Sequence, residues 1–184
     1  ALEQVVFGAA AFQARGIPVW MHRSDAALMA TRCGGCLRTL QDELGERMMA
    51  GTRVVEPDRV VSKSQPLDVV GRRLLLIAPG GRETPGTLAL LDETTGTLFA
   101  GSLVSIRRIP DLRDVDGKDW LEALAALKAT NCVHLVPAFG RLGSCADIDA
   151  SARYVAALDG HVRALLAAGV GLTELPARCD LPEF

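Results

Sequence analysis

Apolar residues recur at helical spacing in four segments of the chain. The second segment begins at a Ser24 or Asp25 cap and ends at Gly45, and a Gly34-Gly35 pair inside it predicts a break or a bend. The four predicted helices cover residues 5–15, 24–44, 120–129 and 147–168.

Short apolar runs between turn residues predict strands around and between these helices. The clearest signal lies at residues 87–100, where two apolar runs flank an Asp-Glu-Thr-Thr-Gly turn and predict a hairpin. A strand at 133–136 is expected to end at Pro137, which lacks a backbone donor. The other predicted strands cover residues 18–22, 53–55, 59–61, 67–70 and 72–78.

Composition narrows the class of protein. A chain of 184 residues with 49% hydrophobic residues can bury one core, so we expect a single domain over residues 1–184. The net charge of -2 is spread along the chain without a basic stripe, which argues against a nucleic-acid partner. No apolar run approaches the roughly 20 residues of a membrane span, and no signal peptide is visible. Because Ala1 falls inside an amphipathic stretch, we expect a further segment upstream.

Three stretches resemble motifs of the metallo-β-lactamase superfamily. They are Ala78-Pro-Gly-Gly-Arg-Glu-Thr-Pro-Gly86, Leu98-Phe-Ala-Gly-Ser102 and Val136-Pro-Ala-Phe-Gly140. In that family a strand ends in P-G-H-T-x-G, a hairpin ends in F-x-G-D, and a later strand ends in V-P-G-H-G. The resemblance implies an α/β fold, namely an αββα sandwich of metallo-β-lactamase type that lacks its first strands. The chain would be the C-terminal two-thirds of that domain.

Other stretches give a narrower resemblance. The run Val6-Phe-Gly-Ala-Ala-Ala-Phe12, the Cys-x-x-Cys helix and Met49-Ala-Gly-Thr-Arg53 look like the zinc metallohydrolase-like proteins associated with periplasmic quinoprotein systems. This resemblance implies a periplasmic or exported protein, with a cytoplasmic location as the alternative.

The zinc ligands of the family can be carried over position by position. Such sites need imidazole and carboxylate ligands that arrive from loop ends, with open positions for water. The resemblance places ligand positions of the first, H-x-H-x-D-H loop on Gln4 and Val5, the G-H-T histidine on Glu83, the bridging aspartate on Ser102 and the last histidine on Phe139. A hydroxyl lacks the charge of a bridging carboxylate, and a phenyl ring has no donor atom. We therefore expect the dinuclear site to be lost and no cofactor to be bound.

Three functions are consistent with such a chain. The first is a non-catalytic protein whose remodelled pocket, lined by Glu83, Ser102, Phe139 and His22, binds a small molecule or a protein partner. The second is a metal-dependent hydrolase that holds zinc with unusual ligands, such as Glu83 and His22 together with upstream residues. The third is an oligomeric assembly protein whose sheet is completed by a partner chain, because removing the first strands exposes a sheet edge.

The cysteines and the remaining histidines carry weaker signals. The pair Cys33-Gly-Gly-Cys36 has the spacing of a redox disulfide or of half a zinc knuckle, although no second Cys-x-x-Cys is present. It predicts a structural disulfide in an exported protein and a reduced buried pair in a cytosolic one, and the resemblance to exported proteins favours the disulfide. No pairing can be read for Cys132, Cys145 and Cys179. We expect His134 to be a core or sheet-face residue and His161 to lie on the surface.

Overall fold

The computed structural model of the chain describes residues 6–79, 87–111, 115–182 and 184. A π-helical turn, Met29–Cys33, joins the second helix to the third. The helices in these ranges are α1 (Ala9–Gln13), α2 (Arg23–Leu28), α3 (Gly34–Leu44), α4 (Gly117–Lys128), α5 (Ala146–Ala167) and α6 (Leu175–Arg178). The strands are β1 (Trp20–His22), β2 (Arg59–Val61), β3 (Gln65–Val69), β4 (Arg72–Ile77), β5 (Ala89–Asp92), β6 (Thr97–Ser105) and β7 (His134–Phe139).

Five strands form one sheet in the order β3-β4-β5-β6-β7. Neighbours are antiparallel except β6 and β7, which are parallel because α4 lies between them in the chain. Strands β1 and β2 form a separate parallel pair. The observed mixture of helices and sheets confirms the predicted α/β fold class.

The main core lies between β6 and the two helices α4 and α5. Alternation in the first half of β6 buries Leu98 and Ala100, and after a shift in register Leu103 is buried as well; each is at most 1% exposed and packs in the core with α4. A smaller cluster joins the two sheets, since Val61 of β2 packs with Leu76 and Ala78. The helices therefore cover the face of β6, while the β1-β2 pair packs beside β4.

Several predicted boundaries need correction. Gly34 and Gly35 do not break the helix but begin α3, and the irregularity is the π-helical turn before them. Within that turn, the Thr31 hydroxyl donates to the carbonyls of Ala27 and Leu28 at 3.1 Å, a side-chain contact that often bends helices. Pro137 does not end β7, which is an edge strand and needs no donor on its outer side.

Two further predictions were wrong in detail. Residues 53–55 do not form a strand, although Val55 is buried. The cap of α2 is neither Ser24 nor Asp25 but the side chain of His22. Within the described ranges, none of the helices combines the length and the apolar character needed to cross a membrane.

Candidate functional site

Ser102, at the predicted position of the bridging aspartate, lies in the second half of β6. Its hydroxyl is 2.9 Å from the hydroxyl of Thr87, just before β5. The preceding Gly101 has φ +55°, and a Cβ there would lie 2.8 Å from Thr87 Cγ2. The segment before β5 is therefore in close contact with β6 here, and Ser102 and Thr87 form a neutral hydroxyl pair.

Phe139, at the predicted position of the last histidine, ends β7 and is half-buried. The guanidinium carbon of Arg108 lies 4.5 Å from the centre of its ring, in cation-π contact. The Ile106 amide donates to the Phe139 carbonyl at 3.1 Å, and Gly140 has φ +103°. A Cβ on Gly140 would lie only 2.2 Å from the Ile106 carbonyl oxygen. This close approach keeps the loop after β6, and with it Arg108, against the end of β7.

His22 lies at the end of β1, in the other sheet, and is buried. Its Nδ1 accepts the Ser24 amide proton at 3.3 Å and is 2.7 Å from the Ser24 hydroxyl. Burial, with a smaller effect of the neighbouring Arg23 charge, lowers the pKa of His22 below its ordinary value. A neutral ring whose Nδ1 accepts from an amide carries its proton on Nε2. As placed, the His22 side chain caps the start of α2.

The residues described at this edge do not fit a dinuclear zinc site. Ser102 offers a neutral hydroxyl already engaged by Thr87, and Phe139 offers no donor and is covered by a cation. Within the described ranges, no group of three or more His, Cys, Asp or Glu side chains could hold a metal ion. Gln4, Val5 and Glu83 lie outside the described residues.

The predicted pocket residues that the structure describes come from both sheets. Ser102 and Phe139 lie on neighbouring strands, whereas His22 lies on the separate β1-β2 pair. His134 is exposed on β7, and the Nε2 of the half-buried His161 lies 3.4 Å from the Arg178 carbonyl oxygen.

The cysteines divide into two groups. A disulfide joins Cys132, just before β7, to Cys145, just before α5, with 5.6 Å between their Cα atoms. Nothing in the sequence indicated this pair beyond the presence of five cysteines. Cys33 is 1% exposed in a small cluster with Met21 and Met29, and Cys36 is half-buried in the first turn of α3. The disulfide between Cys33 and Cys36 stays a prediction.

A cavity of about 510 Å³ adjoins the Phe139 position. It lies between the loop after β6, the start of α4 and the first half of α5, and it includes Arg108, which covers the Phe139 ring. Arg107, Arg141 and Tyr154 also line it. Sequence reasoning did not select these residues, although the Arg107-Arg108 pair directly after an apolar strand was a visible signal.

The fold defined by these elements is that of the metallo-β-lactamases. A solved metallo-β-lactamase from Pontibacter korlensis superposes with a TM-score of 0.64 at 20% sequence identity, covering 82% of this chain and 63% of that one. The DIM-1 metallo-β-lactamase superposes with a TM-score of 0.58 at 15% identity, covering 81% of this chain and 62% of its own. FIM-1 from Pseudomonas aeruginosa in its mono-zinc form gives a TM-score of 0.58 at 14% identity, covering 82% and 61%.

These similarities establish the scaffold. The chain spans 61–63% of the length of these solved structures. No family model matches the sequence, and no curated protein matches it. The metallo-β-lactamase fold expected from the motifs is thus confirmed.

Proposed function

We propose that this chain is a diverged metallo-β-lactamase-fold protein that has lost the dinuclear zinc site and acts as a non-catalytic binding or accessory protein. The observation that carries the proposal is the Arg108 guanidinium over the Phe139 ring, 4.5 Å from its centre. A fixed cation at the position of a zinc-binding imidazole repels a divalent cation and removes a donor at the same time. The hydroxyl pair of Ser102 and Thr87 adds to this, because it supplies no negative charge to bridge two metals.

The first experiment is elemental analysis of the purified protein, produced with zinc present and without chelator. We expect near-zero zinc and iron per chain. One or two metals per chain, lost when Glu83 or His22 is replaced by alanine and kept in a His134→Ala control, would overturn the proposal. The protein would then be a metal-dependent hydrolase with an unusual ligand set.

We also propose export to the periplasm, as the likeness to quinoprotein-associated proteins implies. The Cys132–Cys145 disulfide supports this location, because structural disulfides persist in oxidising compartments and are rare in the cytosol. Alkylation of unreduced protein recovered from a bacterial periplasm, followed by mass spectrometry, tests the pairing. We expect Cys132 and Cys145 to be protected. Alkylation of both after denaturation without reductant would remove this support.

Assembly through the sheet edge is a separate proposal. Strand β3 forms the outer edge of the five-stranded sheet, and four of its five residues are exposed. An exposed edge is a template for pairing with another chain. Light scattering on the wild type and on a Leu67→Pro variant tests it. A dimer that the variant abolishes would support pairing through β3, and a monomeric wild type would exclude it.

A further inference from the structure

The cavity beside Phe139 has the dimensions of a small-molecule site. Its volume of about 510 Å³ falls within the range of about 300–1,000 Å³ typical of ligand pockets. The loop that begins at Ile106 forms one wall, and the α5 residues from Asp147 to Val155 form the opposite one. Its ligand class can be inferred from the side chains that line it.

The base of the cavity is apolar. Leu103, Trp120 and Val155 line it and are at most 2% exposed. The Trp120 indole nitrogen donates to the Leu103 carbonyl oxygen at 3.1 Å, so its single donor is already used within the core. These three side chains are closed to solvent, and the apolar surface open to a ligand is that of Ile109 and Phe184, which are 77% and 56% exposed and also line the cavity. This surface favours an apolar body.

The charge at the rim is positive. The described side chains that line the cavity include three arginines and a single acidic one, that of Asp147. Both oxygens of this carboxylate are engaged, Oδ1 by Arg141 at 2.9 Å and Oδ2 by the Ser144 amide at 2.9 Å. One side-chain carboxylate cannot balance three guanidinium groups, so the lining side chains keep a formal excess of two positive charges.

Backbone conformation and side-chain contacts hold the arginines near the cavity. Arg107 has φ +56°, an unusual conformation for a residue other than glycine, and Arg108 after it stacks on Phe139. Arg141 is fixed by its bond to Asp147 and by donating to the Leu142 carbonyl oxygen at 2.9 Å. A guanidinium has five donor hydrogens, so these two bonds leave Arg141 with donors for a ligand.

We propose that this cavity binds a small organic anion with an apolar body and one carboxylate, such as an aromatic carboxylic acid. The apolar part lies against Ile109 and Phe184, and the carboxylate is bound by Arg107 and Arg141. The hydroxyl of Tyr154, which also lines the cavity, supplies a further donor. The binding role proposed above is the basis of this inference, which adds the ligand class to it.

Nuclear magnetic resonance titration with 2-naphthoate tests the inference, with the neutral 2-naphthalenemethanol as the matched probe. The chain has two tryptophans, Trp120 in the cavity and Trp20 in the β1-β2 pair, so the two indole signals separate the cavity from the rest of the molecule. We expect 2-naphthoate to shift the Trp120 signal and leave the Trp20 signal in place. The neutral probe should bind about tenfold more weakly, because it lacks one charge-assisted hydrogen bond.

Charge-removing variants locate the carboxylate. Arg107→Gln and Arg141→Gln should each weaken 2-naphthoate binding by about five- to tenfold. Arg153→Gln, on the same helix α5 but outside the cavity lining, removes an equal charge and should change binding by less than about twofold. Because Arg141 also bonds Asp147, the Arg107 variant keeps the test valid if Arg141→Gln disturbs the loop.

Three results would overturn the inference: a Trp120 signal that does not move, equal binding of the neutral probe, or an Arg153→Gln effect as large as that of Arg107→Gln. The metal analysis separates this failure from failure of the proposed function. If the protein is metal-free and does not bind 2-naphthoate, only the proposed ligand class is wrong. If the protein contains zinc and 2-naphthoate shifts the Trp120 signal, the proposed non-catalytic role is wrong and the proposed anion site stands.

Discussion

Removing the Cys132–Cys145 disulfide should destabilise the fold measurably. The bond closes a segment of the chain with a sequence separation of 13 residues, between the start of β7 and the start of α5. Within this segment Leu135 and Gly143 exchange two backbone hydrogen bonds at 2.9 Å, and Arg141 reaches the cavity. The disulfide therefore closes the segment that carries one wall of the proposed anion site.

The expected magnitude follows from loop closure in the unfolded chain. A cross-link that closes 13 residues lowers the entropy of the unfolded state enough to stabilise the native state by about 3 kcal/mol at 25 °C. The native hydrogen bonds between Leu135 and Gly143 do not reduce this effect, because they are absent from the unfolded chain. Replacing both cysteines by alanine adds the loss of the buried Cys132 sulfur, about 1 kcal/mol.

Urea unfolding at fixed pH, with and without reductant, provides the assay. Reductant should lower the free energy of unfolding of the wild type by about 3 kcal/mol. It should have no effect on the Cys132→Ala, Cys145→Ala double variant. The half-buried Cys179 serves as a control, and Cys179→Ala should change stability by no more than about 0.5 kcal/mol.

Two outcomes would contradict this reasoning. One is a wild-type protein whose unfolding free energy does not respond to reductant, since the disulfide would then contribute nothing. The other is a double variant that still responds to reductant, which would reveal a second disulfide. In that case the predicted Cys33–Cys36 bond would be the first candidate.

Three further substitutions probe the fold and its pH dependence. Gly140→Ala should lower the free energy of unfolding in urea by more than about 2 kcal/mol, because φ is +103° and the Ile106 backbone is in close contact. Gly35→Ala, inside α3 and without close neighbours, should raise it by about 0.5–1 kcal/mol. Equal effects of the two substitutions would contradict the geometry. The pKa of His22 is lowered in the folded protein, so the unfolded chain takes up the proton first and the free energy of unfolding should fall as pH drops below about 6.5. His22→Asn, which keeps a capping side chain that does not titrate, should remove this loss. An unchanged pH profile in that variant would assign the loss to another group. Trp120→Phe leaves the Leu103 carbonyl without its donor in the core and should cost about 1–3 kcal/mol in the same assay; no loss would mean that this hydrogen bond contributes nothing net.

The hydrophobic pattern predicted the helices and strands well where burial is one-sided. The hairpin at 87–100 appears as β5 and β6, and the predicted helices at 120–129 and 147–168 appear as α4 and α5 within a few residues. The two helices show a helical stripe because one face packs in the core and the other meets water, and the hairpin was marked by its two apolar runs on either side of a polar turn.

Local chemistry was less informative where tertiary contacts override propensity. Gly34 and Gly35 are helical, since neighbouring turns bury Met29 and Cys33 and hold the segment in place. Pro137 stays in β7 because an edge strand needs donors on one side only. The cap of α2 is a histidine, which ordinary cap preferences do not favour.

The sequence by itself determined the fold class and the family resemblance, because both depend on the hydrophobic pattern and on residue types at motif positions. The loss of zinc ligands at Ser102 and Phe139 stays a prediction. Only the tertiary structure decided that Arg108 covers Phe139, that Cys132 pairs with Cys145, and that three arginines share one cavity. These contacts join segments that lie far apart in the chain or in different loops. Their distances depend on how β7 and α5 pack against the loop after β6, and no local pattern of residues encodes that packing.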